Sequence, residues 1–367
     1  MNSIYNIISH DEVKALPLHV LKEIAIILKL DEKSNADELA FFVWKKIKDD
    51  MSARKFVLEP FKSLLLCGRT RTSVTWFRFP KRDVSWVIPA INEALNGDLF
   101  SGNAPIDGNA DISIVSGASG INEEEYILIY RVKEGGKHQT TATGDLEYVP
   151  KMTRIPVIFN AKYRTFEIRS SYRIATRITE HFMELVRRPE SIVQIDIMSL
   201  YKNNVEKIAD ELGGRLIDSS VRMEYPDIEI SGAMTNTFAK ILTALDRYLS
   251  GNDDITDLKQ TLDDAKASNN EFENMPIISL LMAKIGTLKM GVDNGDLREV
   301  NLYEHGKPYM QNQSALIRIA DIFAPTKEYT IQVGVSTKNI VFLNATTEDM
   351  INFVREKLMG QLLKDEQ

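Results

Sequence analysis

The sequence predicts an α+β fold, a small helical N-terminal module followed by an antiparallel sheet domain. Three observations carry that expectation. Apolar residues near the start recur at helical spacing. Short β-rich runs separated by tight turns occupy the middle of the chain. From Ile155 onward the order strand, turn, strand, helix comes three times, an order that lays helices on one side of an antiparallel sheet. The expected division is a helical domain over 1–80 and a sheet domain over 81–367.

Taken in order, Leu18, Leu21, Ile24, Ala25 and Leu28 mark one helix, and Leu39, Phe42, Val43 and Ile47 mark a partner. The polar run Asp31 to Asn35 connects them, with Asn35 as N-cap of the second. A third helix is expected from Ser52 to Leu66, and a fourth from Asp83 to Leu95, broken at Pro89. Glycines between Asn96 and Asn122 imply loops around a short strand, Asp111 to Val115. Glu125 to Lys133 reads as a strong strand, and Gly135 to Gly144 as an exposed loop. The three ββα units fall at 151–190, 220–250 and 329–360. In the first, Ile155–Asn160 and Thr165–Ser170 flank the turn Ala161 to Arg164, and a helix follows from Ser171. In the second, Arg222–Tyr225 and Asp227–Ser231 precede a helix from Thr235.

With 367 residues, 44% of them hydrophobic, the chain can fill more than one core. The 19 glycines and 12 prolines are too few for a low-complexity chain. No apolar run approaches the roughly 20 residues of a membrane span, so no membrane contact is expected. A single cysteine, Cys67, excludes internal disulfides and multi-cysteine zinc sites. With no secretory signal at the start, these features predict an intracellular protein, cytoplasmic or nuclear.

A net charge of −7 argues against a generic nucleic-acid coat, yet the charges are segregated. Residues 54–82 hold eight bases against one acid, and 151–188 nine against three. Residues 189–300 compensate with 20 acids against 11 bases. Such a chain can present one basic face.

Signatures of catalysis are weak. There is no Gly-x-Ser-x-Gly elbow and no phosphate loop ending in Gly-Lys-Ser/Thr. The five histidines are scattered singly, so no metal site is expected, and no cofactor. Asp227 and Glu229 alternate on one expected strand, but neither has a lysine two positions on to steady an attacked phosphate. A metal-dependent nuclease is the weakest of three readings, and the expectation is a protein that is not an enzyme.

Binding is better supported. The run Arg69 to Arg82 interleaves Arg69, Arg71, Arg78, Lys81 and Arg82 with Trp76, Phe77 and Phe79. Cations meet phosphates and aromatic faces can stack on bases, although these aromatics also suit a core. Arg173 and Arg177 lie one helical turn apart, opposite the apolar stripe Ile174, Ile178, Phe182 and Leu185. Arg164 in the preceding turn and Arg169 on the second strand could join them at one edge.

The stretch Arg154 to Asn160, Phe166 to Ser171, and the helix leading to Val193–Tyr201 and Val205–Ala209 resembles the centromere protein N family in its order of elements. Leu16-Pro17-Leu18 resembles that family's apolar-Pro-apolar helix start. The resemblance implies a pyrin-type, death-domain-like N-terminal module and a sheet domain that contacts DNA and a partner subunit. Where the family places basic residues around Pro17, this chain has His10, Asp11 and Ala15, with Lys14 the nearest cation. Met198 and Leu200 stand where the family has arginines before Tyr201. Leu16–Ile47 also resembles a SAP-type DNA module, with Lys29 in place of the usual glycine. The leading expectation is therefore a non-enzymatic protein binding double-stranded DNA through Arg69, Arg71, Arg78, Lys81, Arg82, Arg164, Arg169, Arg173 and Arg177 as one cationic strip. The alternative is an assembly subunit, with a protein partner or as a homo-oligomer.

Overall fold

The computed structural model describes residues 2–31, 34–68, 71–80, 83–101, 110–120, 124–140, 144–187, 192–223, 232–250, 255–268, 287–307, 310–322, 324, 326–334 and 336–364. Its helices, in chain order, are α1 (Ile4–Ile7), α2 (His10–Lys14), α3 (Leu18–Ile27), α4 (Ala36–Ile47), α5 (Met51–Leu58), α6 (Val87–Ala94), α7 (Tyr172–Val186), α8 (Ile197–Leu200), α9 (Val205–Glu211), α10 (Gly232–Leu249), α11 (Ile255–Ser268), α12 (Asn301–Gly306) and α13 (Glu348–Lys364). The strands are β1 (Thr72–Arg78), β2 (Ile112–Ser119), β3 (Glu125–Thr140), β4 (Leu146–Asn160), β5 (Thr165–Ile168), β6 (Val193–Gln194), β7 (Arg215–Met223), β8 (Thr287–Gly291), β9 (Met310–Ala320), β10 (Glu328–Gly334) and β11 (Ile340–Phe342). Helices and antiparallel strands together make an α+β fold. No described helix is long and apolar enough to cross a membrane.

Two compact units share the chain: residues 1–214 with 317–367, and residues 215–316. In the first, the strands run β2-β3-β4-β5-β1-β11-β10, and β6 pairs with the end of β1. Register assigns each row of side chains to a face. Across β3, β4, β5 and β1, Ile127, Ile158, Glu167 and Trp76 stand in one row, and Tyr126, Phe159, Phe166 and Phe77 in the next. The first face packs against α1–α5 around Val13, Leu21, Ile24, Val43 and Ile47. The second packs against α6 and α7 around Val87, Ile91, Ile178 and Phe182. Trp76, Phe77 and Phe79 are all buried, so these three aromatics belong to the core.

Local chemistry explains the boundaries. Asn35 Oδ1 accepts from the Asp37 and Glu38 amides and caps α4, while Ser9 and Glu12 form a reciprocal cap on α2. The expected helix 52–66 stops at Leu58 and continues as a 3-10 turn, because Pro60 has no amide to donate. Pro89 does not break the fourth helix: α6 starts at Val87, so the proline sits in its first turn, where the amide would have no partner. The loop expected over Gly135–Gly144 is largely strand. Gly135 takes φ 107° at a register shift, and the ladder resumes from Gly136↔Pro150 to Thr140↔Leu146.

In the second unit β7 pairs with β8, and Ser219 on β7 donates to Asn312 on β9. Helices α10 and α11 pack on each other. The second strand expected there, Asp227–Ser231, lies outside the described residues.

Candidate nucleic-acid interface

Strand β1 separates the proposed cations by its own length. Arg71 stands just before it and Arg78 ends it, about 20 Å away at the usual rise per residue. At the Arg78 end lie the start of β5 and the turn holding Arg164 (Arg78↔Thr165), and β6 (Arg78↔Val193). At the Arg71 end lie Arg169, Arg154 and the beginning of α7, which together line one cleft. The one strip expected from the sequence is thus two groups: Arg71, Arg169, Arg173 and Arg177 on one side, Arg78 and Arg164 on the other. Arg69, Lys81 and Arg82 lie outside the described residues.

Exposure divides the same set again. Arg71 and Arg173 are exposed, and Arg78 and Arg177 half-buried. Arg177 Nη1 donates to the Lys133 carbonyl at 3.3 Å, which pins α7 to β3. Arg164 is buried in a left-handed turn (φ 55°) with its carbonyl accepting from Phe79. Arg169 is buried too, for a different reason.

Arg169 belongs to an internal ion network that the sequence reading missed. Its Nε and Nη2 donate to Glu167 Oε1, each at 3.0 Å. Its Nη1 and Nη2 donate to the two oxygens of Glu348 on α13 at 2.6 and 2.5 Å, and Nη1 also to the Leu66 carbonyl. The other oxygen of Glu167 accepts from Trp76 Nε1 at 2.9 Å and from Arg355 Nε at 2.6 Å. Arg355 Nη1 reaches Glu125 Oε1, which also accepts from Asn160. Burial alone would push the Glu167 carboxyl up, but the Arg355 and Arg169 guanidiniums hold it at about 2. Arg169 is therefore a structural cation, its donors spent on carboxylates and a carbonyl. No single stretch of sequence signals this, because Glu167 and Arg355 are 188 residues apart. The visible hint was a carboxylate and a guanidinium at alternate positions of an otherwise apolar strand.

What remains at that end is a cleft of about 290 Å³, lined among others by Arg71, Ser73, Arg154, Ser170 and Ser171. Ser171 is extended and caps α7 without a side-chain hydrogen bond, so the first amides of a 15-residue helix open toward this end. Backbone donors and helix dipole favour an anion there; Arg71 lines the cleft, and exposed Arg173 lies in the first turn of α7. Arg154 is already engaged by Glu12 at 2.8 Å and by the Ile7 carbonyl, and Asp11 and Glu12 form an acidic wall.

The same cleft reaches Cys67, but nothing there resembles an activated nucleophile. Burial, with Glu348 beside it, pushes the thiol well above its usual range. Among the described residues no three His, Cys, Asp or Glu side chains are grouped to hold a metal ion. Asp227 and Glu229 lie outside the described residues. The arrangement can bind an anion by charge and backbone amides. No protein-family model matches the chain, and comparison with curated proteins gives no match.

Proposed function

We propose that the protein is a non-enzymatic DNA-binding protein that holds the phosphate backbone of double-stranded DNA. The observation that carries this reading is the cleft at the opening of α7, lined by exposed Arg71 and by Ser73, Ser170 and Ser171, with exposed Arg173 in the helix's first turn. Arg177 extends the cationic edge along the helix toward β3. Arg78, with Lys81 and Arg82 following in the sequence, makes a second contact about 20 Å away, a spacing that suits two points on one duplex. In this reading α1–α5 form a pyrin-like or SAP-like module, and the units at 151–190, 220–250 and 329–360 are related ββα elements.

Phosphate contacts release counterions, so affinity for any duplex falls steeply with salt, with a slope of about −4 if Arg71, Arg173, Arg177 and Arg78 each neutralise one phosphate. A fluorescence-anisotropy titration of a duplex over a salt series checks this. Binding that ignores salt, or none at all, overturns the proposal. Cleavage of the duplex when magnesium is added overturns the non-enzymatic part.

A second reading, an assembly subunit, is favoured by one observation. Phe41 and Phe42 on α4 and Phe56 on α5 are exposed, at 54%, 43% and 73%. A soluble surface does not need three such rings, and they suit a protein partner.

A further inference from the structure

Strand β4 has an edge that the fold leaves without a neighbour. On one side β4 pairs with β3 from Asn160 down to Leu146, but on the other it pairs with β5 only over 157–160. One further bond, from the Arg169 amide to the Pro156 carbonyl, closes that ladder. Beyond it the chain bends at Ser170 and leaves for α7. The cleft of about 290 Å³ opens in the gap, with Arg154 and Pro156 on the β4 side and Ser170 and Ser171 on the other. Because the Pro156 carbonyl points to this edge, the alternation of the strand turns the amides and carbonyls of Arg154, Met152 and Tyr148 the same way. None of these backbone groups has a hydrogen-bond partner among the described residues. Such an edge is a template for an added strand.

The ends of the edge select what adds to it. Pro150 falls on the same side and has no amide to donate, so a long strand meets a missing bond there. The complete donor and acceptor pairs nearest the cleft are those of Met152 and Arg154. At the cleft β5 already holds the row from Arg169 onward, so an added chain cannot run past it and has to end. The edge therefore suits a chain terminus of a few residues. Charge decides which terminus. Arg154 is held by Glu12, and Arg169 by Glu167 and Glu348. Exposed Asp11 stands on the α2 wall, while exposed Arg71 gives one nitrogen to Gln332 at 3.3 Å and keeps its other donors for the cleft. With the first amides of α7 also opening toward this end, a carboxylate is favoured over an ammonium. Tyr148 and Met152 share one face beside the edge and stay partly open, an apolar footing for alternate side chains of the newcomer.

We infer that the outer edge of β4 docks the C-terminal tail of a partner protein, added as a short strand parallel to β4 with its terminal carboxylate in the cleft. This does not rest on DNA binding, although a tail and a duplex phosphate would exclude each other there.

The test is an array of hexapeptides made with free C-termini, beside the same sequences as C-terminal amides, probed with the full chain. The best peptide is then titrated by fluorescence anisotropy. Free acids bind, and their amides bind at least tenfold more weakly. N-methylation of every second peptide amide abolishes binding, and methylation of the amides between leaves it intact. Met152→Pro removes an outward donor without touching the β3 ladder, as Pro150 and Pro156 already do, and weakens the tail at least tenfold. No binding by any free-acid peptide overturns the inference, as do amides that bind as well as acids. So does a folded Met152→Pro chain that binds like the wild type. Should that variant unfold in a circular-dichroism melt, the methylation scan on the unaltered chain decides: loss without alternation, or no loss, overturns the inference. A chain that takes tails but no duplex at any salt overturns the DNA reading and supports this one.

Discussion

Arg169 and Arg173 are four residues apart and do opposite things. Arg169 directly follows β5 and gives its donors to Glu167, Glu348 and the Leu66 carbonyl. Arg173 is one residue into α7 and is exposed. The residue type is the same and the local sequence is shared; what differs is which carboxylates the fold brings near. An arginine run is therefore evidence of binding only after the internal acids have been paired off. In this molecule the pairing takes Arg169 out of the proposed contacts and leaves Arg71, Arg173 and Arg177 of those proposed at that end.

The contrast breaks most visibly inside. Arg355→Ala would leave Glu167 and Glu125 buried without their shared cation, at a cost of about 3–5 kcal/mol. Urea unfolding followed by circular dichroism is the measurement, and a loss under 1 kcal/mol would mean the network is not what holds α13.

Acid should act on the same place. The Glu167 carboxyl sits at about 2 in the fold against an ordinary value of 4.5. A depressed carboxylate contributes stability in full above 4.5 and loses it as pH falls toward 2, on the order of 3 kcal/mol. Urea midpoints between pH 6 and 2.5 should fall accordingly, and Glu167→Gln should flatten that part of the profile. An unchanged slope in the variant would assign the acid sensitivity to other groups.

Outside, Arg71→Ala with Arg173→Ala should weaken duplex binding roughly tenfold for all sequences and make the salt slope shallower by about two, with no change in melting temperature. If melting drops with binding, the outer arginines are structural as well. The smallest effect belongs to a surface pair: Lys14 and Asp37, 3.1 Å apart and both largely exposed, should be worth less than about 0.5 kcal/mol in a double-mutant cycle.

Legibility followed the range of the interactions. Helical stripes, the Asn35 cap and the strand-turn-strand order around Ala161–Arg164 are local, and each could be read from neighbouring residues. The continuation of β3 and β4 past Gly135 could not, because glycines and threonines read as loop unless a facing strand pairs with them. The cleft was half legible. Arg71, Arg173 and the serines before α7 stood out by composition, whereas the fate of Arg169 depended on Glu348, 179 residues away. Cation density is a property of sequence, and cation availability a property of the folded neighbourhood.

The placement of α13 bears on how the chain comes off the ribosome. Its first unit is interrupted by residues 215–316 and resumes only at 317. Glu167, Glu125 and Arg169 are made early, but Glu348 and Arg355 arrive more than 130 residues after Gly214. At about 5–20 residues per second the wait from Gly214 to Arg355 is roughly 10–30 s. Through that interval Arg355 is missing, so Glu167 and Glu125 lack the cation they share. The ion network of the first unit thus closes only after the whole second unit has been made, and a nascent chain halted short of Glu348 would carry Arg169 without that carboxylate.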